Sequence, residues 1–225
     1  MSRETLVKER LGLLEKGFDR YLAAFDSNLP FSNHRQLEPH VRTIDRRREL
    51  ASAATAIDDP LFISSLYETL RAWRLGMRGS RLADVDQFQA ALKAHQGQIA
   101  ALDGCSIDDA GLKVESCSRE IWNLITDLEI VDNYTRLVPG TKALHHLLPD
   151  LVPPMDRQYT CAFFGWALPQ TQYNQDRVFQ EAFCSLALVA RSVSPAKYVG
   201  RGWNTSRTKV LDNALIGFCR LDKAT

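Results

Sequence analysis

VPGTKALHHLLPDLVPPMDRQYTCAFFGW, residues 138–166, is the stretch around which the chain is organised. Pro139-Gly140 predicts a tight turn that opens a short apolar helix carrying Lys142, His145 and His146. A proline-bounded connection, LPDLVPP, follows. Pro153 and Pro154 force an extended path and suit the positions just before a helix. Asp156 then starts a second helix, with its carboxylate turned toward unpaired backbone N–H groups. Two readings of Asp156 stand side by side. In one it is only a helix cap. In the other, Lys142 and Asp156 face one cleft.

N-terminal to this stretch the pattern is helical. Residues 3–26 repeat Leu6, Leu11, Leu14, Phe18, Tyr21, Leu22 and Phe25 at three- and four-residue steps. PFSNHRQLEPH reads as a linker. The next segment carries Arg42, Arg46, Arg47 and Arg48, a basic run that is either a solvated face or a phosphate contact. Asp59-Pro60 is a helix start signal, and Phe62, Leu66, Tyr67, Leu70 and Trp73 form the stripe behind it. The loop MRGSRL is either a surface turn or an anion site between Arg78 and Arg81. Residues 84–102 and 112–130 read as two further amphipathic helices.

C-terminal to it, VFQEAFCSLALVARSV is an apolar core helix and PAKYV a short one. Gly200 to Asn204 reads as an open loop with an exposed Trp203. Thr205 or Ser206 caps a final helix that packs Val210, Leu211, Leu215, Ile216 and Phe218 inward. Asp212-Asn213 on that helix either buttresses Asp156 or holds a loop. No window alternates at period two for long enough to be a strand. The expectation is an all-α, compact multi-helix domain over residues 1–225, with roughly nine or ten helices of ordinary length. A division into two helical lobes, about 30–135 and 136–225 plus the N-terminal helix, is left open.

Composition sets outer limits. The chain has 225 residues, 45% hydrophobic and 24% charged, ordinary values for a soluble globular protein. No apolar run approaches the roughly 20 residues that span a bilayer, and the first residues have no signal-peptide core. Five scattered cysteines without a CxxC pair read as reduced thiols in a cytoplasmic protein. A net charge of +1 neither favours nor excludes nucleic acid. His145 and His146 point about 100° apart on a helix, so they do not readily share a metal. Nucleotide-binding and hydrolase motifs do not occur. The expectation is no metal, no cofactor and no membrane, with the oligomeric state open.

The order of Pro-Gly, a Lys-bearing helix, a proline-bounded connection and an Asp at the next helix resembles the helix-hairpin-helix DNA glycosylase superfamily. There a hairpin, commonly LPGVGRKTA, docks on a DNA phosphate, and a downstream VDTHV-like segment supplies the catalytic aspartate. LVPGTKALHHL matches the hairpin and its second helix, and PPMDRQYTCAF matches the aspartate segment. The second hairpin glycine is missing, the Lys-to-Asp spacing is shorter than usual, and the iron–sulfur cysteine motif is absent. The resemblance implies a glycosylase-like fold, DNA as partner, and excision of a damaged or modified base in repair or in defence against phage DNA. It implies Asp156 and Lys142 as catalytic residues. The expected DNA and substrate contacts are Gly140, Thr141, His145, Arg157, Tyr159, Trp203, Asn204, Arg201, Arg207, Arg78 and Arg81. A flipped base needs a stacking surface; Trp203 is the favoured stacker, ahead of Tyr159, Tyr134 and Trp73. The competing expectation is a non-catalytic helical DNA-binding or scaffold protein in which Asp156 is a structural cap.

Overall fold

Short polar side chains start the helices by accepting from backbone N–H groups that have no partner within the helix. Ser2 accepts from Thr5 N at 3.2 Å and opens α1 (Arg3–Lys16). Ser52 accepts from Thr55 N at 3.1 Å before α4 (Ala53–Asp58). Asp59 accepts from Phe62 N at 2.6 Å, with Pro60 in the first turn of α5 (Pro60–Ala72). Ser206 accepts from Lys209 N at 3.2 Å at the start of α12 (Arg207–Leu221). The structure, a computed structural model, describes residues 1–27, 33–76, 81–167, 173–200 and 202–221. Among these residues there is no strand, only an isolated bridge between Leu82 and Val131.

The remaining helices are α2 (Phe18–Ser27), α3 (Asn33–Glu49), α6 (Val85–Ala94), α7 (Gln96–Leu102), α8 (Val114–Asp127), α9 (Leu137–Leu147), α10 (Thr160–Phe164) and α11 (Gln175–Val193). A 3-10 turn, Pro195–Tyr198, joins α11 to the last loop. Two segments expected as single helices are pairs. Residues 3–26 break at Gly17, and residues 84–102 break at His95. Apolar periodicity does not register a break that leaves the buried stripe on the same side. Of the segment expected as a linker, residues 33–40 already belong to α3, and residues 30–32 lie outside the described residues.

Helix α12 runs through the middle of the molecule. Every residue from Thr208 to Cys219 is buried. It lies against α2 so closely that a Cβ on Gly217 would come within 1.9 Å of the Tyr21 carbonyl oxygen. Helix α9 lies on α8 in the same way, since a Cβ on Gly140 would meet Ile125 at 2.5 Å. Helix α9 also touches α3 and α5. One continuous cluster of buried apolar side chains joins these elements.

The basic run on α3 is tied into the protein. Arg47 is buried and donates to the Leu147 carbonyl at 2.8 Å and to Asp103 at 2.6 Å. Arg46 pairs with Asp59 and Glu49, and Arg42 with Glu68. Arg48 donates to the Thr205 carbonyl. No helix among the described residues is long and apolar enough to cross a membrane.

Candidate active site

The short connection between α9 and α10 turns the chain back on itself, and Lys142 and Asp156 line the same cavity of about 660 Å³. Trp73, Pro139, Met155, Tyr159 and Trp203 supply apolar and aromatic lining, and Lys209 and Asp212 reach it from α12. The Lys142 amine sits over the Trp73 ring, 5.4 Å from its centroid. Burial lowers the basicity of that amine. The charges of Asp156 and Asp212 oppose the lowering, and Lys209 adds to it.

Asp156 is half-buried. Its Oδ1 accepts from Tyr159 N at 2.6 Å, and its own N–H donates to Thr160 Oγ1 at 3.1 Å. The carboxylate therefore caps the turn that leads into α10 while it lines the cavity. The helix expected to start at Asp156 starts at Thr160 instead, because residues 157–159 form the capped turn. Burial pushes the neighbouring Cys161 thiol up to about 11, so it stays protonated at neutral pH.

Lys209 and Asp212 form the deeper pair. The Lys209 amine donates to Asp212 Oδ2 and to Asn213 Oδ1, both at 2.6 Å. It stands 5.3 Å from the Trp203 ring centroid. Burial pushes the Asp212 carboxyl up, and the Lys209 charge holds it back. The Asn213 amide donates to the Trp203 carbonyl at 3.0 Å and to Asn204 Oδ1 at 2.8 Å. Of the two roles expected for this pair, Asn213 takes the loop; Asp212 pairs with Lys209, a partner not expected.

Behind the cavity lie three buried imidazoles. His146 Nδ1 faces the Lys142 carbonyl at 2.7 Å, an acceptor, so the proton is on Nδ1 and Nε2 accepts. His40 Nδ1 then donates to His146 Nε2 at 2.9 Å, and His40 Nε2 accepts from Thr205 Oγ1 at 2.8 Å. His145 Nδ1 donates to the Val152 carbonyl at 3.0 Å, and among the described residues its Nε2 has no hydrogen-bond partner. Burial lowers all three, His146 to about 4. Among the described residues no group of three or more His, Cys, Asp or Glu side chains is arranged to hold a metal ion.

The residues expected from the sequence fall into three groups. Lys142, Asp156, Arg157, Tyr159 and Trp203 line the cavity. Gly140, Thr141 and His145 are buried in α9. The tight turn expected at Pro139-Gly140 does not form, because both residues are helical and the Gly140 N–H donates to the Arg136 carbonyl at 2.9 Å. Thr141 Oγ1 donates to the Leu137 carbonyl at 2.8 Å and accepts from Met155 N at 3.2 Å. These three residues support the site from behind. Arg207, Asn204 and Arg81 lie off the cavity lining. Arg207 donates to Asp108 at 2.7 Å and to Ser106 at 3.0 Å. Arg81 is exposed, with its backbone N–H on Asp132. Arg78 and Arg201 fall outside the described residues.

Trp203 is not the exposed loop residue expected. It is 4% exposed, and its ring stacks on His40 with centroids 5.7 Å apart. It forms a fixed wall. Sequence reasoning misses Lys209, whose signal is a Lys with Asp and Asn at i+3 and i+4 inside an apolar helix. It also misses Gln175, the first residue of α11. The Gln175 side chain accepts from Arg136 N and Leu137 N and donates to the Tyr134 carbonyl, fastening the cavity rim to the start of α9. Compared with known proteins, the chain matches no family model, no curated protein and no solved structure.

Proposed function

We propose that the chain cleaves an N-glycosidic bond in DNA and releases a damaged or modified base. The observation that carries this reading is the shared cavity of Lys142 and Asp156. Its volume lies within the range of sites that enclose a small molecule, roughly 300–1,000 Å³, which suits a nucleoside turned out of the helix. As the bond to the base breaks, positive charge develops on the sugar. The Asp156 carboxylate stabilises that charge or accepts a proton from the attacking water. A lysine amine whose basicity is lowered by burial is more often neutral. Lys142 can then attack the anomeric carbon and leave a Schiff base after sugar-ring opening. The rings of Trp73 and Tyr159 offer the flat base apolar contact. A cytoplasmic setting, with the five free thiols reduced, and a role in repair or against phage DNA belong to the same proposal.

The burial of Gly140 and Thr141 favours a second reading, since no hairpin is available to dock on a DNA phosphate. In that reading the chain is a non-catalytic helical binding or scaffold protein.

Base release separates the two. Wild type and Asp156→Asn are incubated with DNAs carrying damaged, deaminated and hypermodified bases, then scored for alkali-sensitive abasic sites. The amide still accepts from Tyr159 N, so the variant keeps its fold. Release is expected to drop on the order of a hundredfold or more. Trapping with borohydride is expected to cross-link wild type and not Lys142→Met. Equal release by wild type and Asp156→Asn removes the role given to Asp156. No release from any DNA leaves the second reading.

A further inference from the structure

Trp73 and Arg74 are consecutive in the chain and have different surroundings in the cavity. Trp73 ends α5 and lies under the Lys142 amine. Arg74 follows in left-handed backbone, with φ 61°. The Leu75 N–H reaches back to the Leu70 carbonyl at 3.0 Å, closing a helix-end turn around that left-handed residue. Glycine is the residue this position favours, because a Cβ crowds the neighbouring carbonyl. An arginine in such backbone points to a use for its side chain.

Arg74 is exposed and lines the cavity. Arg157 does the same from the turn before α10. Among the described residues neither guanidinium has a hydrogen-bond or ion-pair partner. The contrast lies elsewhere in the chain, where Arg3 holds Glu181, Arg46 holds Asp59, Arg47 holds Asp103 and Arg207 holds Asp108. The cavity lining carries Arg74, Lys142, Arg157 and Lys209 against Asp156 and Asp212. Lys209 and Asp212 pair with each other, which leaves Asp156 as the remaining carboxylate of the lining, against Lys142 and the two arginines. The two arginines therefore give the lining an excess of positive charge.

The geometry points to a phosphate-ester site at the cavity rim, made by Arg74 and Arg157, that holds the phosphate attached to the sugar facing Asp156 and Lys142. Trp73 and Arg74 line the same cavity, so an anion on Arg74 shares it with whatever rests on Trp73. Guanidinium groups suit this ligand because their N–H forks match two phosphate oxygens. The site takes over the anchoring that the buried Gly140 does not provide. It rests on the glycosidic reading above.

The test is binding by the whole chain. Wild type, Arg74→Gly, Arg157→Gln and the double variant are titrated with fluorescein-labelled single-stranded and duplex oligonucleotides across a series of NaCl concentrations. Each single substitution is expected to weaken binding on the order of tenfold at low salt. Each is also expected to flatten the salt dependence by about one phosphate contact. Arg74→Gly is expected to melt roughly 2–4 °C higher, because backbone strain is removed. A protein that melts higher and binds worse is what a purely structural arginine does not give. Unchanged affinity and salt slope in the double variant overturn the site. Competition by a nucleoside 5′-monophosphate as strong as that by unlabelled oligonucleotide makes free nucleotides the source of the phosphate. Competition by oligonucleotide alone makes the source the DNA backbone. Base release by the same variants keeps the two proposals apart. Weakened binding with no release from any DNA keeps the phosphate site and removes the glycosidic reading. Release with unchanged KM in the double variant keeps that reading and removes the site.

Discussion

The cavity is served by two lysines from two regions of the chain, and they live differently. Lys209, on the central helix, is enclosed and held between Asp212 and Asn213. Lys142, on the first turns of α9, faces the Trp73 ring and has no carboxylate within hydrogen-bond distance among the described residues. A buried amine that keeps its hydrogen-bonded carboxylate is committed to architecture. An amine that is desolvated without such a partner has a lowered basicity and is suited to chemistry. On the proposed reading, the two lysines separate holding the site from using it.

Breaking the deeper pair should have the largest effect. Asp212→Ala leaves the Lys209 charge enclosed and without its carboxylate, at a cost of about 3–5 kcal/mol. Urea unfolding is expected to show that loss, and a change under about 1 kcal/mol would mean the pair does not hold the helix.

Acid should come next, through the imidazoles that flank both lysines. Each is held neutral, with a folded pKa below the unfolded value of about 6.5. As pH falls, the unfolded chain takes up these protons first. The stability they allow is present above pH about 6.5 and drains below it. For His146 the loss continues down to its folded value of about 4, worth roughly 3 kcal/mol in all. Unfolding free energies measured at pH 7, 6 and 5 should fall, with a shallower slope in His146→Gln. Equal stability at pH 7 and 5 would contradict neutral burial. Lys209 faces all three imidazoles, Lys142 faces His146 and Arg48 faces His40, so a new positive charge there meets existing ones.

The smallest stability change belongs to Lys142→Met. A thioether chain of similar length can lie on the Trp73 ring, so unfolding should shift by less than about 1 kcal/mol. Base release should fall steeply in the same protein. A large loss of stability here would make Lys142 a second Lys209 and erase the contrast.

The local signals in the sequence carry through where only neighbouring residues decide the outcome. Asp59-Pro60 and Ser206 start helices as read, and the proline-bounded loop returns Asp156 to the cavity that Lys142 lines. The misreadings occur where a distant partner decides. Pro139-Gly140 has turn chemistry, yet Gly140 is used for the closeness of Ile125. Trp203 sits among loop formers, yet the Asn213 amide on the next helix draws that loop inward. Arg74 is not a residue type that announces left-handed backbone. Lys209 breaks the apolar pattern of its helix, and only its contacts at i+3 and i+4 explain it.

Asp156 caps a turn with one oxygen and lines a cavity with the same carboxylate. Aspartate, asparagine and serine serve almost equally as caps, so the turn alone does not require a charge at this position. A descendant of this chain that kept the scaffold and abandoned the proposed chemistry could carry Asn or Ser there and lose little of its fold. One that kept the chemistry could not. Position 156 is thus a single letter in which two lineages of the same architecture would part.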